Sequence, residues 1–66
     1  MRNPYITVTS GMSGYFAIMM AQFENLKTLT WDWDIWTTGI GRYKTREEAV
    51  KEAKEWAEAD RIPFHE

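Results

Sequence analysis

Two periodicities divide the 66-residue chain. Tyr5-Ile6-Thr7-Val8-Thr9 is β-branched or aromatic throughout, with Ile6 and Val8 on one side, and predicts a first strand. Ser10-Gly11-Met12-Ser13-Gly14 reads as a turn, since glycine reaches positive φ without steric cost. Tyr15 to Glu24 predicts a second strand. One of its faces holds Tyr15, Ala17, Met19, Ala21 and Phe23, and the other holds Phe16, Ile18, Met20, Gln22 and Glu24. Both faces are apolar for most of their length, as in a central strand covered on both sides. After a turn at Asn25 to Thr28, a third strand runs from about Thr30 to Thr38. Strict alternation points Trp31, Trp33, Ile35 and Thr37 one way, and Asp32, Asp34, Trp36 and Thr38 the other. On that basis Trp33 and Trp36 belong to opposite faces, one inside and one outside. Gly39 and Gly41 allow a bulge or a close backbone approach before Arg42-Tyr43-Lys44.

The period then lengthens. Thr45-Arg46-Glu47-Glu48 has the form of a capping box, with the Thr45 hydroxyl accepting from the Glu48 amide while Glu48 reaches back. Ala49, Val50, Ala53, Trp56 and Ala57 recur on one face of a helix, and Glu47, Lys51, Lys54, Glu55 and Glu58 on the other. Pro63 disfavours helical geometry at Ile62, so the helix should end near Asp60. Ile62 and Phe64 then pack back as a short tail. The expected fold is α+β: a three-stranded antiparallel sheet followed by one C-terminal helix on one face, β-β-β-α, with a possible short extended segment at the end. One domain spans residues 1–66, with a sheet half over 5–44, the helix over 45–60 and the tail over 61–66.

Composition sharpens this division. Residues 1–41 hold only Arg2 and Lys27 as bases and Glu24, Asp32 and Asp34 as acids, with three of the four Trp. Residues 42–66 hold six Lys or Arg and seven Asp or Glu. The net charge is -2. Without cysteine the chain is neither a disulfide scaffold nor a thiolate metal fold, so packing or a partner must stabilise it. A domain this small gains only about 3–5 kcal/mol from its core. The aromatic content, 15%, is too high for a disordered chain. The longest apolar run, Tyr15–Ala21, is far short of the roughly 18 residues a membrane helix needs. The N-terminal layout is not that of a secretory signal. A cytoplasmic, non-membrane domain is expected.

One helix lined mainly with alanine covers one face of a sheet and fills little volume. Tyr15, Phe16, Ile18, Met19, Met20, Phe23, Trp31, Trp33 and Trp36 cannot all fit beneath it. An exposed apolar patch on a small domain marks an interface, and Trp and Tyr are enriched at binding hot spots. The expectation is a homodimer or a complex with another protein. The candidate partner-binding residues are Tyr15, Phe16, Trp31, Asp32, Trp33, Asp34 and Trp36.

Catalytic chemistry finds little support. His65 is the single histidine, next to the end of the chain, where a general base lacks fixed geometry. Ser10 and Ser13 lie in a glycine-rich turn with no base to activate them. Asp32 and Asp34, two apart on a strand, share a face. With no further ligands they are a weak signal for Mg2+, Ca2+ or an acid pair, and a solvent-facing polar edge between tryptophans is the default; the more consequential hypothesis is that they engage Arg or Lys on a partner, or imitate the phosphates of nucleic acid. Arg42, Lys44 and Arg46 could hold a phosphate at the helix N-terminus, although Glu47 and Glu48 partly neutralise that position. No cofactor and no metal are expected.

Tyr43-Lys44-Thr45-Arg46-Glu47-Glu48-Ala49 resembles the strand-to-helix junction, aromatic-x-Thr-x-x-Glu-Ala, of the small arm-binding domains at the N-terminus of tyrosine recombinases. It is also similar to short β-β-β-α families of unassigned function. The resemblance covers about 20 residues and implies the β-β-β-α fold. Those recombinase domains enter a DNA groove with a basic sheet. Here Lys27 is the one base between Gly14 and Gly41, against Glu24, Asp32 and Asp34, so DNA binding does not carry over. Size, acidity and the lack of a catalytic set resemble those of phage-encoded antidefence proteins, anti-CRISPR proteins among them. The expected function is a small, non-enzymatic inhibitor or adaptor that docks through a Trp-rich sheet. The alternative is a nucleic-acid-binding module that uses Arg42, Lys44, Arg46 and the sheet aromatics.

Overall fold

A computed structural model describes residues 1–66. Strands β1 (Arg2–Gly11), β2 (Gly14–Asn25) and β3 (Thr30–Thr38) form an antiparallel meander, and helix α1 (Arg46–Asp60) follows. The expected β-β-β-α architecture is the one found. No helix is long and apolar enough to cross a membrane.

Strand β1 is longer than its β-branched stretch implied. It runs to Gly11, which pairs with Gly14 across a two-residue turn, Met12-Ser13. Gly14 has φ 109°, and a Cβ there would overlap the Tyr43 carbonyl, so this corner requires glycine. At the other end of β1, a bulge between Arg2 and Tyr5 sets Asn3 at φ 53°. Its side-chain amide donates to Gln22 Oε1 (2.7 Å). The β2–β3 turn is closed by Asn25, whose Oδ1 accepts from the Lys27 amide (3.0 Å) and whose carbonyl accepts from the Leu29 amide (2.8 Å).

Helix α1 starts where the sequence places it. The Glu48 amide donates to Thr45 Oγ1 (3.4 Å), and the Thr45 hydroxyl donates to Glu48 Oε1 (2.9 Å). Glu48 therefore reaches back to the cap hydroxyl rather than to its backbone. Thr45→Ala should cost about 1 kcal/mol, read as a lower urea midpoint with an unchanged slope. At the C-terminus Arg61 takes the left-handed conformation (φ 55°) and its amide meets the carbonyls of Ala57 and Glu58.

The face of the sheet that α1 covers is the one bearing Ile6, Ala17 and Met19. These pack with Ala53 and Ala57, and Val8, Trp56, Ile62 and Phe64 border them. The tail joins the sheet as a short parallel partner of β1. The Ile6 amide donates to the Pro63 carbonyl and the His65 amide to the Ile6 carbonyl, both 2.9 Å. This placement decides what α1 can cover. A helix is roughly 10 Å across and strands lie about 4.8 Å apart, so one helix spans about two strands. With Ile62 and Phe64 filling in beside β1, the helix settles over β1 and β2 and does not reach β3. The sequence implied one bare face; the structure leaves that face and also the helix side of β3 uncovered.

Strand β3 is not regular. Met19 and Met20, neighbours on β2, pair with Thr37 and Ile35, so Trp36 is an extra residue in a bulge. Alternation along β3 therefore slips at Trp36. Thr37 lies opposite Met19 on the helix side and Thr38 opposite Ile18 on the open side, the reverse of strict alternation. Nor does either tryptophan lie inside. Trp33 is 49% exposed and Trp36 51%. Trp33 lies on the face turned away from α1, and on the helix side α1 stops short of β3, so neither face of this strand has the cover that a buried Trp needs.

Candidate interaction surface

Alternation before the bulge separates the candidate residues. Trp31, Trp33 and Ile35 face away from the helix, in line with Phe16, Ile18, Met20 and Gln22 of β2 and with Tyr5 of β1. Asp32 and Asp34 share the opposite face, opposite Phe23 and Ala21. Tyr15 is also on the helix side, where its backbone pairs with Tyr43. The sheet thus brings Trp31, Trp33 and Phe16 to one surface and Asp32, Asp34 and Tyr15 to the other.

On the open face the aromatic rings are partly dressed. The Arg2 guanidinium lies 4.1 Å from the Trp31 ring centre, and that of Arg42 lies 4.3 Å from Phe16. Tyr5 meets Trp33 edge-on at 5.3 Å and stacks on His65 at 4.7 Å. His65 is thus anchored by its ring and its backbone. Long side chains do fold over this face, but Trp33 and Ile35, half exposed, remain bare at its β3 margin.

The free edge of β3 is blunted. Tyr15 and Ala17 turn their backbone groups toward the β3 side, where they meet Tyr43 and Gly39. By alternation Asp32 and Asp34 pair with β2, while Trp31, Trp33 and Ile35 turn their backbone outward. The Ile35 amide is taken by Asp34 Oδ1 (2.8 Å), and the bulge at Trp36 follows at once. Acidic side chains and bulges are the usual defences against added strands. The edge is therefore ill suited to accept a further strand, and what β3 presents is the side chains on its faces. Asp32 is held by Asn25 Nδ2 and the Thr30 hydroxyl, both at 3.1 Å. No three His, Cys, Asp or Glu side chains converge as a metal site would need.

The three candidate phosphate-binding bases have separate settings. Arg42 donates to the carbonyls of Gly39 (2.8 Å) and Gly41 (3.0 Å) while covering Phe16. Arg46 pairs with Glu66 at 3.7 Å, and Lys44 is exposed. β3 ends at Thr38, so no continuous strand aligns Arg42 with Lys44.

Comparison of the chain with protein-family models, curated proteins and solved structures gave no match. The functional reading therefore rests on the geometry of this chain.

One arrangement escaped sequence reasoning. Glu52, on α1, reaches to the segment after β3. Its Oε1 accepts from the Gly41 amide (3.0 Å) and from the Tyr43 hydroxyl (2.9 Å). A Cβ at Gly39 or Gly41 would overlap the Glu52 carboxylate. The two glycines were legible as a close approach, but not the side chain that approaches. Donation to Glu52 raises the Tyr43 pKa above the usual 10.0, with desolvation and the negative charges of Glu52, Glu55 and Glu48 adding to it. Tyr43 loses its bond and gains a repelling neighbour when it ionises. Because the folded pKa lies above the unfolded one, this contribution is complete below pH 10.0 and disappears as pH rises through the folded value. Stability should therefore fall in that alkaline window, and Tyr43→Phe should remove this part of the fall, as measured by urea midpoints at successive pH values.

Proposed function

We propose that this protein is a non-enzymatic, cytoplasmic interaction protein, an inhibitor or adaptor that docks on a protein partner through β3. A phage antidefence role of the anti-CRISPR kind fits its size and acidity. One observation carries the reading: no element covers the face of the sheet away from α1, and β3 keeps Trp33 and Ile35 there, with Trp36 at the bulge, about half exposed in a domain with little core elsewhere. Large apolar side chains left clustered on a small domain are the anchors from which interfaces are built. Asp32 and Asp34 add negative charge on the other face of the same strand and favour a partner bearing Arg or Lys.

The test pairs sedimentation with affinity capture. A stable complex with one protein, weakened by Asp32→Asn plus Asp34→Asn, is the expected result. A concentration-dependent dimer would identify the partner as a second copy. A monomer that captures nothing and binds no hydrophobic dye would reject the reading. Single-stranded nucleic acid is checked by filter binding at two salt concentrations. The Arg2 and Arg42 stacks are the features such a ligand would use, yet acids outnumber bases over the chain, and no binding is expected at low salt.

A further inference from the structure

The uncovered side of β3 is not uniform. Where α1 stops short of the sheet edge, Thr38, Gly39, Ile40, Glu52 and Trp56 line a notch of about 340 Å3. Its base is the chain leaving β3, and its wall is α1. Three features of this notch point to the same kind of occupant.

The first is the free half of the Glu52 carboxylate. Oε1 holds two donors, from Gly41 and Tyr43, whereas Oε2 accepts from no protein group. Oε2 lies against Gly39, and the missing Cβ there leaves it room. The second is Trp56. Its indole N–H is tied to Asp60 Oδ2 (2.8 Å), which fixes the ring in the wall of the notch. An indole beside a carboxylate favours a planar cation, which can pair with the acid and lie on the ring. The third is the surrounding charge. The next recess along α1 is lined by Tyr43, Glu48, Lys51, Glu52 and Glu55, three acids against one base. The field that these acids exert is felt at Tyr43, whose ionisation they oppose.

Resting on the docking reading above, we propose that this notch receives an arginine side chain of the protein partner. The guanidinium pairs with Glu52 Oε2 and lies against Trp56, and its aliphatic stem passes over Ile40, which is 99% exposed. Ile40 then serves as the outer lip of the seat. The same partner surface would cross β3 with apolar groups on Trp36 and Trp33.

The test uses the intact chain and short peptides, without the partner. The probes are acetyl-Gly-Arg-Gly-amide and its citrulline counterpart, which is nearly isosteric and uncharged. The readouts are the NMR signals of the Trp56 indole N–H and the Gly39 amide. The arginine peptide should shift both saturably, with the citrulline peptide at least tenfold weaker. Glu52→Gln should abolish the shifts while keeping the fold, because the amide oxygen still accepts from Gly41 and Tyr43. Equal binding of the citrulline peptide, or full binding to Glu52→Gln, would overturn the proposal. So would shifts confined to Trp31 and Trp33. Equal affinity for a lysine peptide would overturn the assignment to a guanidinium. Failure here leaves partner capture by β3 intact, whereas failure of capture with peptide binding retained would remove the docking reading, and with it the assignment to a partner's arginine, leaving only a notch that binds guanidinium.

Discussion

Ile6→Ala is expected to leave the domain largely unfolded at 25 °C. Ile6 is the largest fully buried side chain, at 0% exposure, and its companions in the core are mostly alanines. Ala17, Ala53 and Ala57 bring the helix close to the sheet, and within the buried cluster only Ile6 and Met19 carry larger side chains, with Val8, Trp56, Ile62 and Phe64 at its border. Removing a buried isoleucine to alanine costs about 2–5 kcal/mol, through lost burial and the cavity left behind. A domain of this size has roughly 3–5 kcal/mol in total. Ile6 also ties the tail to β1, but through its backbone, so alanine keeps those bonds and the loss is one of packing. Ile6→Val separates the two effects. It should cost about 0.5–1.5 kcal/mol and leave a folded protein with a lower urea midpoint. An Ile6→Ala protein with an unchanged midpoint would mean that the stability of this chain lies outside this core.

The same core explains which parts of the fold could be read from the residues. Elements with a strong local signal came out in place. The capping Thr45 and the Ala49-Ala53-Ala57 spacing define α1, and the alternation of Ile6 and Val8 defines the buried side of β1. Pro63 marks the end of the helix and Ile62 and Phe64 return to the core, as their apolarity requires. What local pattern could not give was the lateral position of the helix. That position depends on the tail pairing beside β1, a contact between Ile6 and residues 63–65. Because the helix shifts that way, the helix side of β3 loses its cover, while Trp33 lies on the opposite face, which no element covers, so the burial expected of one β3 tryptophan does not occur.

The bulge illustrates a second limit. Trp36 sits in an unbroken run of strand-favouring residues, and nothing in Asp34-Ile35-Trp36-Thr37-Thr38 signals an extra residue. A one-residue slip changes which face every later side chain takes. The candidate surface was thus legible as a set of residues but not as a grouping. Trp31 and Trp33 were correctly set against Asp32 and Asp34, while Trp36, Thr37 and Thr38 were allotted by an alternation that the chain does not keep. Glu52 was invisible for a related reason. It reads as one more acid on a charged helix, and only the glycines at 39 and 41 hinted that something approaches the loop.

Trp33→Ala and Trp36→Ala should each weaken capture of the partner by about 30-fold or more, and both proteins should remain folded. A tryptophan anchor at an interface is commonly worth about 2 kcal/mol or more on truncation, which corresponds to that ratio. The strand places the two differently. Trp33 is braced edge-on against Tyr5 on the open face, so its ring is already oriented for a partner. Trp36 stands at the bulge, half exposed, and contributes apolar area without comparable bracing. Binding pays less conformational entropy at a side chain that is already held, so Trp33→Ala should have the larger effect on the dissociation rate. Neither side chain belongs to the core, so the cost to the fold should be about 1–2 kcal/mol, well under that of Ile6→Ala. Circular dichroism at 10 °C checks that the variants are folded, and surface-immobilised wild type and variants then report partner dissociation. If both variants are folded and bind the captured partner as tightly as wild type, the exposed tryptophans are not its anchors and the docking surface lies elsewhere. If only the Trp33 variant loses binding, the partner sits on the open face beside Tyr5. Loss in both makes it span the β3 margin, which puts the notch at Glu52 and Trp56 within reach of the same partner.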